Sequence, residues 1–424
     1  MDNKSFRKFF VLWAGQLISS IGTGISAFGL AIYVFEKTNL ASSTTLITLL
    51  AFLPSLLLVA PAGVLADRYD RRLLMILGDG LSTIGLFYIL FCLFDGDASL
   101  WQIGIGVFIS SIFSSLLEPS FRATVTDLLG SEDYSKANGL MQLANASKYL
   151  IAPIISGFLL KKYSVALLIG IDIATIIVTV GVTLYVRRGI ETKARTDKSN
   201  LKEDFSEGMA ALRANNGVFM LVIISMALTF FVGIIQTLAT PMMLEFTRKE
   251  LAGIALTISA SGMIFSSFLL SMLPLKKNFV RTLSFSLFLL GIFMVGFAFR
   301  PSLYFVCIFG FLFFAALPFI NTSLDFLVRS NIDNEFQGRV WGLISFISQM
   351  GYVLAFAISG PLSDFVFKPL ISEQGLLGNS VGLLIGIGRG SALMIILSGI
   401  FLSLSSVSLL KVSSVRKLDE SHSL

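Results

Sequence analysis

Six ionisable residues interrupt long apolar runs of this 424-residue chain: Asp79, Glu118, Arg122, Lys148, Asp172 and Asp325. A charge held at mid-membrane costs about 3 kcal/mol on insertion scales, so each of the six needs a partner or a function. Glu118 and Arg122 stand four apart, on one helix face, where they can pair directly and simply neutralise each other. Glu118 also precedes Pro119, and a mid-span carboxyl beside an arginine can gain and lose a proton as substrate or conformation changes. It is the first choice for a proton-carrying group, with Arg122, Lys148 and Asp325 as its supporting charges. No histidine is available for a relay, because the single one, His422, lies in the tail. Cys92 and Cys307 sit in apolar runs and read as small buried hydrophobes, so neither a disulfide, a metal site nor a nucleophile–base pair is expected.

The elements that must position these charges are membrane helices. The chain is 55% hydrophobic and only 14% charged, with 36 glycines and a mean hydropathy of +0.84, whereas soluble domains average roughly 25% charged residues. Its apolar runs approach the ~20 residues that cross a bilayer at ~1.5 Å per residue. Twelve spans are expected, near 9–35, 42–65, 73–94, 100–128, 135–160, 165–186, 217–238, 251–273, 279–299, 302–328, 340–366 and 391–410, numbered here 1 to 12. The first begins with Lys4, Arg7 and Lys8 and outruns a signal peptide, so it reads as a retained helix. With the N-terminus inside, 22 of the 32 basic residues fall in cytoplasmic segments and eight in outer loops, while Arg122 and Lys148 lie within spans. Both termini are therefore expected in the cytoplasm, and the net charge of +6 needs no nucleic acid to explain it.

The longest cytoplasmic segment divides the chain into residues 1–187, a six-span bundle, a linker over 188–214, and residues 215–424, a second six-span bundle. A shift of 203 residues lays Gly139–Leu160 over Gly342–Ser363 with 8 of 22 residues identical, among them Tyr149/Tyr352, Ala152/Ala355, Ser156/Ser359 and Gly157/Gly360. Parallel repeats of this kind belong to secondary carriers, which bind substrate near mid-membrane. The same shift places Arg122 over Asp325 and Glu118 over Asn321, so an ion pair between halves, closed in one state and open in the other, is expected. The outer stretch 367–389 is rich in Leu, Gly and Ile and suits an interfacial helix.

Between spans 2 and 3 the chain reads Gly63-Val-Leu-Ala-Asp67-Arg68-Tyr-Asp70-Arg71-Arg72. This resembles the signature of the major facilitator superfamily, G-x-L-A-D-R-x-G-R-K, at the place where that family carries it, with Asp70 standing where Gly is usual. The resemblance implies that Gly63, Asp67, Arg68 and Arg71 gate the cytoplasmic side and that Arg71 pairs with Asp127 at the end of span 4. Span 5 resembles the antiporter motif of the same superfamily, G-x8-G-x3-G-P-x2-G-G, through Gly139, Pro153 and Gly157, with Lys148, Ala152 and Ser156 replacing glycines. Small residues let helices approach and proline bends them. Trp13-Ala-Gly-Gln16, Lys136-Ala-Asn-Gly-Leu140, Gly338-Arg-Val-Trp341, Ser359-Gly-Pro-Leu-Ser-Asp364 and Gly388-Arg-Gly-Ser-Ala392 make the chain most similar to the drug-exporter branch that holds macrolide-efflux-type proteins.

The fold so implied is all-α and polytopic, with 12 transmembrane helices in two pseudosymmetric six-helix bundles. Spans 1, 4, 7 and 10 would line a central cavity, which puts Glu118, Arg122 and Asp325 on its wall and sets Asp79 and Asp172 aside as structural. Gln16, Phe28, Phe230, Gln236 and Asn321 are the substrate-binding candidates, since aromatic and adaptable linings suit amphipathic ligands. The expected function is proton-coupled export of amphipathic or lipophilic compounds such as macrolide-type antimicrobials, by alternating access, across the cytoplasmic membrane of a bacterium. A siderophore or peptide-metabolite exporter and a non-transporting sensor are the alternatives. No P-loop is present, so the proton gradient, not ATP or a cofactor, is the expected drive, and neither an enzyme nor more than a monomer is expected.

Overall fold

A computed structural model describes residues 3–187, 209–210, 212–213, 215–273, 275, 277–332, 337–378, 380, 386, 388–409, 415–416 and 418. Most of the expected linker 188–214, part of 367–389, and Lys276, Lys411, Lys417 and His422 lie outside these residues. Among the described residues the structure is helical, with no strand. Twelve helices are long and apolar enough to cross a membrane: Ser5–Thr38, Ala41–Arg68, Arg71–Phe94, Leu100–Leu128, Lys136–Leu160, Val165–Arg187, Asn216–Leu244, Lys249–Met272, Phe279–Phe299, Leu303–Ser330, Val340–Leu370 and Gly390–Leu409. Spans 1, 2, 7 and 11 outrun the expected ranges by a turn or so, and the other eight agree with them to within two residues.

The chain forms two compact units, residues 1–39 with 46–197 and residues 40–45 with 198–424. In the first, span 1 packs along span 6 and against both pieces of span 5, while span 3 packs on spans 4 and 6. In the second, span 7 packs on spans 11 and 12, and span 9 packs on spans 10 and 12. The helix pairings of one bundle therefore recur in the other six spans later, as a duplicated six-helix unit requires.

Residues matched by the 203-residue shift do the same work in both bundles. Ser156 and Ser359 are fully buried. Ser156 Oγ donates to the Ile25 carbonyl of span 1 at 3.0 Å, and Ser359 Oγ lies 3.2 Å from Thr237 Oγ1 of span 7. A Cβ added to Gly24 in span 1 would sit 2.7 Å from Ala152 Cβ, and one added to Gly233 in span 7 would sit 2.7 Å from Ala355 Cβ. Small residues face each other there so that the backbones can approach closely.

Among the described residues, three spans are locally broken. Span 4 divides into Leu100–Ser114 and Leu117–Leu128 ahead of Pro119, and span 5 into Tyr134–Leu150 and Ala152–Leu160 at Ile151, two residues before Pro153. Proline lacks the N–H that would bond four residues back and its ring crowds that carbonyl. Span 11 widens into a π-helical turn over Ser363–Phe367 and resumes to Leu370. There Asp364 accepts the backbone N–H groups of Ala41 and Ser42, at 3.2 and 2.7 Å. Outside the spans, Arg389 is 6% accessible and its guanidinium lies 5.5 Å from the Phe246 ring. Burial holds its pKa below the usual arginine value, against the opposing charge of Glu245.

Candidate functional site: a charged cavity and a charged loop network

The six-helix unit at the N-terminal end encloses a polar cavity of ≈ 230 Å³. Gln16, Ser19, Ser20 and Thr23 reach it from span 1, Asp79 and Ser82 from span 3, Glu118 from the second piece of span 4, Asn145 and Lys148 from span 5, and Asp172 from span 6. Asp79 and Asp172 are each only 2% accessible. Asp172 accepts from Thr23 Oγ1 at 3.1 Å and from the Ser26 hydroxyl. Both acids, expected to be structural, stand on the cavity wall. Their apolar surroundings in sequence give no hint of the hydroxyl-rich face of span 1 that meets them.

Glu118 accepts from Arg122 Nη2 at 2.6 Å and from its Nε at 3.0 Å, with 68% and 65% of the two side chains accessible. Its own bundle therefore leaves Glu118 open, and does not seal it into the low-dielectric niche that a mid-span position suggests. Asp325 pairs with Arg329 on its own helix at 2.9 Å, and the Arg329 guanidinium also stacks 5.4 Å from the Trp341 ring. Arg122 and Asp325 each have an ion-pair partner one turn away on their own helix. Lys148 holds its ammonium 5.0 Å from the Tyr149 ring.

A second cluster forms where spans 3, 4 and 6 end. Arg71 Nη1 donates to Asp127 Oδ1 at 2.6 Å and to the Ala123 carbonyl at 3.0 Å, its Nε donates to the Ala66 carbonyl at 3.1 Å, and its Nη2 lies 3.7 Å from the Asp67 carboxylate. Arg72 places Nη2 3.5 Å from the other Asp127 oxygen. It is the largest fully buried side chain described, at 2% accessible, a role that counting it as one more positive-inside charge overlooks. Asp70, where the signature has Gly, adopts extended backbone, caps span 3 by accepting the Arg72 N–H at 3.0 Å and pairs with Arg187 Nε at 2.8 Å. Arg68 is exposed.

The remaining residues are scattered. Phe28 is half-buried, and Gln236 and Asn321 are exposed. Phe230 lines an open apolar groove of ≈ 660 Å³ with Met226, Phe231, Leu354 and Phe401. Cβ atoms added to Gly63 or Gly139 would meet nothing within 4 Å, so the tight helix contact expected at these glycines is found instead at Gly24 and Gly233. Ala152, Pro153, Ser156 and Gly157 are buried.

Two six-span bundles, a charged loop after span 2 and a proline-broken span 5 are joined by a direct sequence match: the profile described as Major Facilitator Superfamily covers residues 12–356. The chain belongs to this superfamily. Macrolide efflux protein A of Streptococcus pyogenes is 26% identical to it over 366 residues, 84% of this chain and 89% of that protein. The uncharacterised superfamily transporter YfiS of Bacillus subtilis strain 168 is 24% identical over 409 residues, 92% and 95% of the two chains. Among solved structures, the nucleoside transporter NupG aligns with a TM-score of 0.74 at 14% identity over 96% of this chain and 100% of that one. An inward-facing bacterial homologue of the lysosomal transporter Spinster aligns with 0.72, also at 14%, over 97% and 98%. At that identity the likeness shows the superfamily fold alone. Within the superfamily, this chain departs at Asp70, and the departure has a structural use as helix cap and ion-pair partner.

Proposed function

We propose that this transporter exports small amphipathic compounds, macrolide-type antimicrobials among them, in exchange for protons. The reading rests on one observation above others: an acid on a broken helix, Glu118, opens both to an arginine and to a charged cavity inside a membrane bundle. Such a carboxyl can exchange its proton without disturbing packing, and Arg122 one turn away senses the change in charge. Lys148 on the same cavity wall and Asp325 on span 10 complete the set of charges, and Gln16, Phe28, Phe230, Gln236 and Asn321 contribute to binding substrate. The Asp67, Arg68, Arg71 and Asp127 group latches the cytoplasmic ends of spans 3 and 4, next to Gly63. Span 5, bent beside Pro153 between Gly139 and Gly157, flexes as access alternates. The chain works as a monomer in the cytoplasmic membrane of a bacterium with both termini inside. It uses the proton gradient with no cofactor, enzymatic step or nucleic acid partner.

The similarity to macrolide efflux protein A supports the substrate class. The test is a susceptibility panel of structurally varied antimicrobials in a pump-deficient host, with and without an ionophore, followed by uptake into inverted vesicles. Expression should raise resistance to at least one amphipathic compound, the ionophore should abolish the effect, and Glu118→Gln should lose proton-driven uptake. Unchanged uptake by Glu118→Gln removes Glu118 as the coupling group, and no shift across the panel removes the substrate class.

A further inference from the structure

The cavity of the N-terminal bundle is short of one positive charge. Its titratable groups are Asp79, Glu118, Lys148 and Asp172. Glu118 is matched by Arg122, and Lys148 brings one charge against the two aspartates, so with every group ionised the wall carries one unbalanced negative charge. Lys148 does not discharge that imbalance at close range, because its ammonium rests against the Tyr149 ring, which is itself exposed. An uncompensated carboxylate is costly inside a bilayer-spanning bundle, where the surrounding dielectric is low.

Two buried oxygens on this wall have no hydrogen-bond partner: Asp79 Oδ2 and Gln16 Oε1. Asp79 is 98% buried, so its oxygen has no bulk solvent in place of a protein partner. Around them stand the hydroxyls of Ser19, Ser20 and Thr23, and Asp172, whose oxygens Thr23 and Ser26 hold in place. Ser82 spends its proton on the Asp79 carbonyl at 2.7 Å, which leaves its oxygen lone pairs free to accept. The polar part of the wall therefore offers carboxylate, amide and hydroxyl oxygens, with the Met141 thioether as its one sulfur and no imidazole, and oxygens are the donor set of a hard cation or of a proton. At ≈ 230 Å³ the space also admits a few waters to complete a coordination shell.

We propose that this cavity is a binding site for one monovalent cation, H⁺ or Na⁺, with Asp79 as its charged ligand, Asp172 as the second carboxylate and Gln16 as a neutral oxygen ligand. Glu118, which also lines the cavity, is engaged by Arg122 and is not one of these ligands. The inference goes beyond the export reading and holds or fails without it, because cation binding can be measured on the purified protein with no substrate and no gradient.

The experiment uses the full chain in detergent. In the proton arm, an infrared pH titration follows the carbonyl stretch of protonated carboxylic acids. Wild type should show a band that vanishes on alkalinisation, retained in Glu118→Gln and lost in Asp79→Asn. In the sodium arm, at alkaline pH, NaCl replaces choline chloride at constant ionic strength. A gain in thermal midpoint that KCl does not reproduce, lost in Asp79→Asn, assigns the site to Na⁺. Should Asp79→Asn fail to fold, Gln16→Leu serves in its place and should weaken the apparent cation affinity about tenfold, the scale of losing one good ligand. A wild-type protein with neither signal overturns the proposal, and so does a signal that survives in both Asp79→Asn and Asp172→Asn.

Discussion

Asp127 is the residue on which the start of span 3 and the end of span 4 depend. Its two oxygens serve Arg71 at 2.6 Å and Arg72 at 3.5 Å, and Arg72 is almost wholly out of solvent. Removing one member of such a pair leaves an uncompensated buried charge, which costs about 3 kcal/mol or more. Asp127→Asn should therefore lower the thermal midpoint far more than Asp67→Asn, whose carboxylate is 67% accessible and 3.7 Å from Arg71. Equal losses in a fluorescence-detected melt of the two variants would show that Arg72 does not rely on Asp127. Replacing Arg72 by Met in the Asp127→Asn background should recover part of the loss, since an apolar side chain of similar volume needs no partner there. The pairing of Arg71 with Asp127 is what the motif implies; the burial of Arg72 is not, because a basic residue at a span end reads equally well as a solvated anchor.

Elements show where local sequence and packing agree. The Asp70 cap is legible: Asp ranks with Asn and Ser as a helix N-cap, and its side chain satisfies an N–H that the first turn leaves open. Its ion pair with Arg187 is not legible, since 117 residues separate the two. The two terms can be separated by substitution. Asp70→Asn should keep the cap and lose the pair, costing about 0.5 kcal/mol, whereas Asp70→Ala loses both and should cost about 1 to 2 kcal/mol. Indistinguishable melts for Asn and Ala would leave the cap without energetic weight. The duplicated close contact makes a second comparison. Gly24→Ala and Gly233→Ala each drive a methyl to 2.7 Å from an alanine Cβ, so each should destabilise by about 1 to 3 kcal/mol. Gly63→Ala and Gly139→Ala, which meet nothing within 4 Å, should be near neutral in the same melt. A harmful Gly139→Ala beside a harmless Gly24→Ala would reverse the assignment of the contact.

For the whole molecule, the distribution of Lys and Arg makes a statement about topology that fusion reporters can read. A fluorescent protein at the C-terminus should fold and fluoresce, and alkaline phosphatase there should be inactive. The phosphatase should become active when inserted in the 367–389 segment, because that stretch is expected on the outer side. An active C-terminal phosphatase would invert the expected orientation.

Twelve spans, the six-and-six division and membership of a transporter superfamily all follow from the chain alone. Hydropathy period, basic-residue asymmetry and a 22-residue repeat are each local or statistical properties, available without knowing which helices touch. The sequence also supplies the short roll of intramembrane charges, because scarcity makes each one visible. What it does not contain is their partners. Glu118 and Arg122 found each other at a spacing of four, as helix geometry allows, and Asp325 chose Arg329 by the same rule. Asp79, Asp172, Gln16 and the serines of span 1 meet across as much as 156 positions of chain, brought together by the packing of span 1 on span 6 and of span 3 on both spans 4 and 6. Burial and cavity are properties of that packing, so only the tertiary structure could place Asp79 and Asp172 on one cavity wall.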